Sequence, residues 1–418
     1  MKKIIKEKIN KELEGSYYTI GFAVPKDVNK ITIKYKYPKK VDGFKNVVDL
    51  GVENEKGELI GWSGSNRDSI YIGLEESDNG YLSGEINEGL WKIIIGAYKI
   101  KDTVEVTYEI DFEFLEMTWH FGDLHMHSKA SDGKYDIFQL ANMAKKKHLN
   151  FLSATNHNNY SENINLPIIK GITLLPGVEW THYMGHVNFI GLKKPFEKSF
   201  IAHNESERDE IINYAKKLGA IVSVNHPMCR YCPYKWDLSD YEYVEIWNGP
   251  MRTDEVKAIN WWKEELKKGH KIIAIGGSDF HRKHRVVQLG NPVTAIKSKS
   301  RCAEDLISAV KKGNCYITKN YKAAKLEIIC DNATFGDTIE LNGDSKEIKF
   351  IATDLKHNEI MTVQNSLGEV KRIKAKHGKA ELSIIANSKD YYFVEVLGRN
   401  LLIRGLSTIA ISNPVHFI

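Results

Sequence analysis

Cysteine is scarce in this chain: five residues in 418 (Cys229, Cys232, Cys302, Cys315 and Cys330), an odd number without a framework spacing. That excludes a disulfide-built fold and fits a reducing compartment. Cys229-x-x-Cys232 has the spacing of half a zinc site, but no second pair follows at finger spacing, so neither structural zinc nor redox chemistry is expected there. Long apolar runs are missing too. Nothing approaches the length that spans a bilayer, and the lysine-rich first ten residues lack the apolar core of a secretory leader. The expectation is a cytoplasmic protein with no membrane partner. An excess of one charge is equally absent, since 59 Lys plus Arg against 54 Asp plus Glu leave a net +5. A broad footprint for duplex nucleic acid is thereby excluded, and any positive field must be local. No internal repeat is visible, and nothing sets the oligomeric state.

With 42% hydrophobic residues the chain can bury the cores of two or three domains. Residues 1–116 read as β. Ile31 to Tyr37 and Val104 to Ile110 alternate with period two, Leu90 to Gly96 is mostly apolar, and Asn/Asp/Gly clusters punctuate them. This predicts a β-sandwich whose aromatics, Trp62 and Tyr71 included, are core. Residues 117–320 change rhythm. Strand-like runs end at His127, Thr155, Glu179, Leu192, Asn225, Trp247 and Ser278, with another at Val293 to Ile296. Helices are expected over 204–218, capped by Asn204 and ended by Gly219, over 253–268, capped by Thr253 and ended by Gly269, and over 300–312 before Gly313. Repeated βα units imply a parallel, barrel-like sheet, in which chemistry gathers at the C-terminal strand ends. Residues 321–418 return to β, with turns at Asn342-Gly343-Asp344 and His377-Gly378-Lys379, as a second small β-domain.

The strand ends carry the pattern. Gly122-Asp123-Leu124-His125-Met126-His127 puts Asp123, His125 and His127 on one strand face. Alone, a His-x-His is cheap, and two solvated histidines would explain it. The other ends change that balance: Asp132 in Ser131-Asp132-Gly133, Asn156-His157, Gly177-Val178-Glu179, Gly185-His186, Asn225-His226-Pro227, and Gly276-Gly277-Ser278-Asp279-Phe280-His281. His125, His127, Asp132, His157, Glu179, His186, His226, Asp279 and His281 offer only N and O donors, which suit Zn²⁺, Mn²⁺ or Fe²⁺. They are too many for one ion. Three or four donors per ion give two or three divalent metals, with Glu179 the natural bridge because each of its oxygens can serve one ion.

These ordered motifs resemble the polymerase-and-histidinol-phosphatase (PHP) family. The outer β-domains and Gly61-Trp62-Ser63-Gly64-Ser65 resemble, more weakly, the branch named for the carbaryl-hydrolysing metallohydrolases. The resemblance implies an α/β chain: a distorted (β/α)7 TIM-like barrel flanked by N-terminal and C-terminal β-sandwich-like domains, acting on phosphoesters. It further implies that His125, His127, Glu179 and Asp279 hold one metal, that Glu179 bridges to a second held by His226 and His186, and that Asp132, His157 and His281 hold a third. His182, four residues before His186, competes with it for this role.

A water shared by two cations would have its pKa lowered to roughly 7 or below and supply hydroxide. Glu179, Asp279, His226 and Arg230 are the candidate catalytic residues. Arg230, Arg282 and Arg285 are the candidate phosphate contacts, Arg230 first, because a guanidinium grips phosphate bidentately. Asn156, Asn158 and Tyr231 are further candidate contacts, and Asp123 is read as orienting a histidine. The expected substrate is a small phosphorylated metabolite, a nucleotide or an oligonucleotide end. The rival enzyme reading is hydrolysis of a carboxylic ester, carbamate or amide at the same metals. The non-enzymatic one is a binding protein with a metal-stabilised barrel.

Overall fold

The computed structural model describes residues 1–418 except 193–195, 198, 239–240, 342 and 344. Asn342 and Asp344 of one expected turn therefore lie outside the described residues. The chain divides into two compact units, Met1–Glu116 and Met117–Ile418. In the first, alternation does what period two requires: Val28–Lys36 buries Ile31, Ile33 and Tyr35, and Gly89–Lys99 buries Trp91, Ile93 and Ile95. One antiparallel sheet runs in the order Lys2–Asn10, Thr103–Phe114, Val28–Lys36, Ser69–Gly73. The other runs Tyr17–Val24, Gly89–Lys99, Val47–Glu53, Leu59–Ser63. Their inward residues share one core, whose aromatics include Phe22, Tyr35, Trp91 and Tyr108. Trp62 and Tyr71, expected there, are only half-buried, and Trp62 meets Tyr17 edge-on.

In the second unit seven strands are neighbours in chain order: β1 (Thr118–Met126), β2 (Phe151–His157), β3 (Thr173–His182), β4 (Gly185–Ile190), β5 (Ile221–Val224), β6 (Tyr243–Asn248) and β7 (Ile273–Gly277). The chain after β7 returns to β1 through a parallel bridge between Met126 and Phe280. His127 N–H donates to the Phe280 carbonyl at 3.0 Å, and Asp279 N–H to that of His125 at 2.8 Å. β1–β2–β3 and β5–β6–β7 are parallel, but β4 is antiparallel to both neighbours, which corrects the all-parallel expectation. Only Tyr183 and Met184 join β3 to β4, and so short a connection makes a hairpin, never a crossover.

The helices are α1 (Ile137–Lys146), α2 (Glu205–Lys217), α3 (Thr253–Lys267) and α4 (Ala303–Lys311). Asn204 caps α2 by accepting from Glu207 N–H at 3.0 Å, and Gly219 leaves it at φ +87°. The cap of α3 is Arg252 rather than Thr253, its N–H donating to the Glu255 carboxylate at 2.8 Å. α1 was not singled out from sequence, although Asp136 and Gln139 cap each other's backbone N–H there. No helix among the described residues is long and apolar enough to cross a membrane.

Residues 321–418 share a sheet and a core with residues 117–320. β8 (Val293–Ser298) pairs with β1, β9 (Cys315–Thr318) pairs with β8, and the same sheet continues through Gly405–Ser412, Asp390–Asn400, Ile360–Asn365 and Gly368–Lys374. Phe121, Met126 and Leu140 share one core with Phe350, Val394 and Phe417. Buried Asn413 ties the two parts further, accepting from Ala274 N–H at 2.7 Å and donating to the Ala274 and Cys315 carbonyls. The composition change near residue 321 marks a change of strand pattern, while apolar burial crosses it.

His416, in Val415–Phe417, is part-buried, and burial with nearby Lys271 pushes its pKa from 6.5 down to about 4. Below pH 6.5 the unfolded chain takes a proton that the folded one refuses until about pH 4, so this residue costs stability progressively across that window. The urea midpoint of the wild type should therefore fall more between pH 7 and pH 5 than that of His416→Gln. Equal falls would count against this reading.

Candidate metal centre

β1 ends on His125 and Met126, and both His125 and His127 are fully buried, their Nε2 atoms 3.3 Å apart. His157 closes β2, Glu179 lies near the end of β3, and His226 and Asp279 follow β5 and β7 closely. His186 is the second residue of β4, and because β4 runs against its neighbours its start lies at their C-terminal ends. One edge of the sheet thus receives every donor. Glu179 sits among them. Its Oε1 is 3.4 Å from His125 Nε2, 3.0 Å from His186 Nδ1 and 3.4 Å from His226 Nε2. Its Oε2 is 2.8 Å from His157 Nδ1 and 3.4 Å from His127 Nε2.

The donor atoms form three groups, each within 4.8 Å internally: His125, His127 and Asp279; His127, Asp132, His157 and His281; Glu179, His186 and His226. The nine residues singled out from sequence are all present, with His127 common to two groups. His182 is elsewhere: its Nε2 bonds the Ala202 carbonyl at 2.9 Å and its ring stacks on Trp236. The backbone is unusual at two donors, since His226 and Asp279 have φ of +30° and +49°, where non-glycine residues pay strain. Gly277 is required by closeness, because a Cβ there would collide with His125.

Charge explains how such a group stays folded. Burial opposes protonation of His125, but Glu245, Asp279 and Glu179 outweigh it and hold its pKa well above the usual imidazole range. His226, also opposed by burial, is brought up to about 9 by Glu179, Asp279 and Glu245. Burial would raise Glu179, but its histidine neighbours pull it well below the usual carboxylate range. For His127 burial prevails and lowers the pKa. Even so, His127 Nδ1 is buried without a hydrogen-bond partner among the described residues, and Glu179 Oε2 and Asp279 Oδ1 meet imidazole nitrogens at 2.8 and 3.0 Å without the angle of a hydrogen bond. Each such buried group costs roughly 1–3 kcal/mol, more when charged. Imidazole and carboxylate donors with unmet demand fit divalent metal ions.

Two buried carboxylates support the edge, and only one was read from sequence. Glu245, on β6, places both oxygens near His125 Nδ1, at 3.0 and 3.2 Å, and accepts from His226 N–H at 3.1 Å and Asn248 Nδ2 at 3.0 Å. It fixes the His125 ring so that Nε2 faces Glu179 and Asp279. Its signal was a lone carboxylate inside Tyr243-Val244-Glu245-Ile246-Trp247. Asp123, expected to orient a histidine, meets no imidazole among the described residues. It accepts from Ser278 N–H at 2.9 Å, the Ser278 hydroxyl, Gly290 N–H at 2.8 Å and His125 N–H at 3.3 Å, and burial raises its pKa to about 6. Its work is to hold the loop after β7 against β1.

The expected phosphate contacts divide. Arg230 is engaged elsewhere, with Nε 3.0 Å from Asp254 and one terminal nitrogen 3.0 Å from the Thr253 hydroxyl. To serve as the first clamp it would have to leave this exposed pairing at the start of α3. Arg282 and Arg285 are exposed, directly beyond His281, without a hydrogen-bond or ion-pair partner among the described residues. Asn156 and Asn158 are likewise used internally. Asn156 accepts from Ser128 N–H at 2.9 Å and the Ser131 hydroxyl, and Asn158 exchanges bonds with the Thr181 backbone. Tyr231 is 86% exposed, open to a ligand.

No protein-family model matches the chain. A stretch of 67 residues, 16% of the chain, is 36% identical to part of the DNA polymerase/3'-5' exonuclease PolX of Bacillus subtilis and spans 11% of that protein's length. Among solved structures, a two-domain protein from Bacteroides vulgatus containing a predicted PHP-like metal-dependent phosphoesterase is 20% identical, with a TM-score of 0.41 over 71% of this chain and 96% of that one. An amidohydrolase from Chromobacterium violaceum, with bound sulfate and no metal, is 15% identical, with a TM-score of 0.28 over 40% of this chain and 89% of that one.

Proposed function

We propose that the protein is a PHP-type metal-dependent phosphoesterase acting on a small phosphorylated metabolite, a nucleotide or an oligonucleotide end, and that β1–β7 form its distorted (β/α)7 barrel. The observation that carries this is Glu179, buried among five imidazoles with one oxygen toward each of two donor groups. Two or three divalent ions bound there would supply Lewis acidity toward phosphoryl oxygens and make water a nucleophile at neutral pH. The chain's own part is to hold them: His125, His127 and Asp279 on one side, His186 and His226 on another, Asp132, His157 and His281 at the outer, half-exposed end. No serine or cysteine nucleophile is required. The exonuclease named for the Bacillus relative cleaves phosphodiesters, a reaction of the same type.

Arg282 and Arg285 are the anion contacts in this reading. Replacing Arg282 by alanine should raise KM for an aryl phosphoester about tenfold, as for a lost charge-assisted hydrogen bond. Arg230→Ala should change kcat/KM less than Arg282→Ala. The reverse order in steady-state kinetics would make Arg230 the clamp.

A second reading rests on the cavity of about 660 Å³ beside His186, lined by His182, Tyr183, Phe200, Ile201 and His203 with no lysine or arginine among the described lining residues. It suits a neutral, aromatic leaving group. The carbaryl-hydrolysing branch, which Gly61 to Ser65 resembles, makes an ester, carbamate or amide substrate the alternative. The deciding experiment is hydrolysis of matched aryl phosphoesters, esters, carbamates and amides by the metal-loaded protein. Phosphoester turnover with the others silent supports the main reading, and the opposite ranking replaces it.

A further inference from the structure

The Cys229-x-x-Cys232 pair lacked a partner in the sequence, and the structure supplies one that is not a second cysteine pair. His226 turns Nε2 toward Glu179, at 3.4 Å, and its other ring nitrogen, Nδ1, toward Cys232 Sγ, at 3.6 Å. Cys229 Sγ lies 3.2 Å from Cys232 Sγ. The three donor atoms fall within 4.8 Å of one another, outside the imidazole–carboxylate groups except for the shared histidine. We propose that His226, Cys229 and Cys232 form a further thiolate metal site for zinc or another thiophilic divalent ion, with His226 giving up both ring protons and bridging as imidazolate when the neighbouring group is also filled.

The geometry is close to what such an ion needs. Zn–S near 2.3 Å and Zn–N near 2.0 Å at tetrahedral angles set a sulfur–sulfur edge of about 3.8 Å and a sulfur–nitrogen edge of about 3.6 Å. The Cys232–His226 distance already has that length, and the sulfurs must part by about half an ångström. A disulfide would instead require them to close to about 2.05 Å. The loop is built to hold the donors. His226 N–H is anchored on Glu245 and Cys229 N–H donates to the His226 carbonyl at 2.9 Å. The backbone N–H groups of Tyr231 and Cys232 are directed at Cys229 Sγ, where they favour a charged sulfur. Both thiols are half-buried, so three protein donors leave a fourth position that solvent can reach. Donor softness separates this site from its neighbours: thiolate selects zinc-like ions, whereas the carboxylate-rich groups also accept manganese or iron.

The proposal stands whether or not the neighbouring groups hydrolyse phosphoesters, and its test does not use activity. The full-length apoprotein, reduced with a thiol-free reductant, is titrated with Co²⁺. A thiolate-to-cobalt charge-transfer band in the near ultraviolet is expected. It should vanish in the Cys229→Ser/Cys232→Ser variant, which should also bind one equivalent less metal while keeping the wild-type circular dichroism. Should that variant fail to fold, the wild type decides: Zn²⁺ is expected to slow alkylation of Cys229 and Cys232, followed by peptide mass spectrometry, at least tenfold. Saturating cobalt without a near-ultraviolet band would overturn the proposal. So would unchanged alkylation, or a Cys229–Cys232 disulfide that forms equally fast with an oxidised-glutathione donor whether or not zinc is present.

Discussion

Glu179→Gln is expected to strip most of the metal from the imidazole–carboxylate groups and to lower kcat/KM for an aryl phosphoester roughly a thousandfold, about 4 kcal/mol of barrier. The amide keeps the size of the carboxylate but not its charge. Five histidines face that charge at 2.8–3.4 Å, and Asn225 Nδ2 donates to Oε1 at 2.9 Å. An amide nitrogen at either oxygen's place would put a donor where an acceptor is needed. Metal content and steady-state rates, measured on protein with unchanged circular dichroism, check this. Full metal occupancy with a near wild-type rate would show that Glu179 bridges nothing.

The second large effect belongs to Glu245, which would touch neither metal nor substrate. It acts through His125 and the backbone of His226, so its loss should show first as weaker metal binding. Outer hydrogen bonds to metal-ligating histidines are worth about ten- to a hundredfold in affinity. Glu245→Gln, which keeps one acceptor for His125 Nδ1, should lie near the lower figure and Glu245→Ala near the upper. Competition with a chromophoric chelator measures both. If kcat at saturating metal fell as far as affinity did, Glu245 would have a direct part in the reaction.

What could be read in advance follows from how information lies along the chain. Histidines and carboxylates at strand ends are informative one by one, because a strand fixes the edge at which its last residues emerge. That made His125, His127, His157, Glu179, His226 and Asp279 legible before any fold was known. His186 was harder, since two histidines four residues apart differ only by a hairpin that reverses β4. Glu245 was hidden because a carboxylate inside an apolar strand has meaning only once its neighbour across the sheet is known. Arg230 was harder to place for a related reason. Its closeness to His226 in sequence was plain, but the competing Asp254, 24 residues on, was not. The continuity of sheet and core across residue 321 was not legible because composition reports strand pattern, whereas a shared core depends on which apolar faces meet.

The most direct test of the central claim is metal content by elemental analysis, before and after exhaustive chelation, with the hydrolysis rate followed on the same samples. Two or three equivalents at the imidazole–carboxylate groups, beyond any held by the cysteines, should disappear together with turnover and return with added Mn²⁺, Fe²⁺ or Zn²⁺. Hydrolysis that survives complete removal of metal, or a chain that takes up none of these ions, would contradict it.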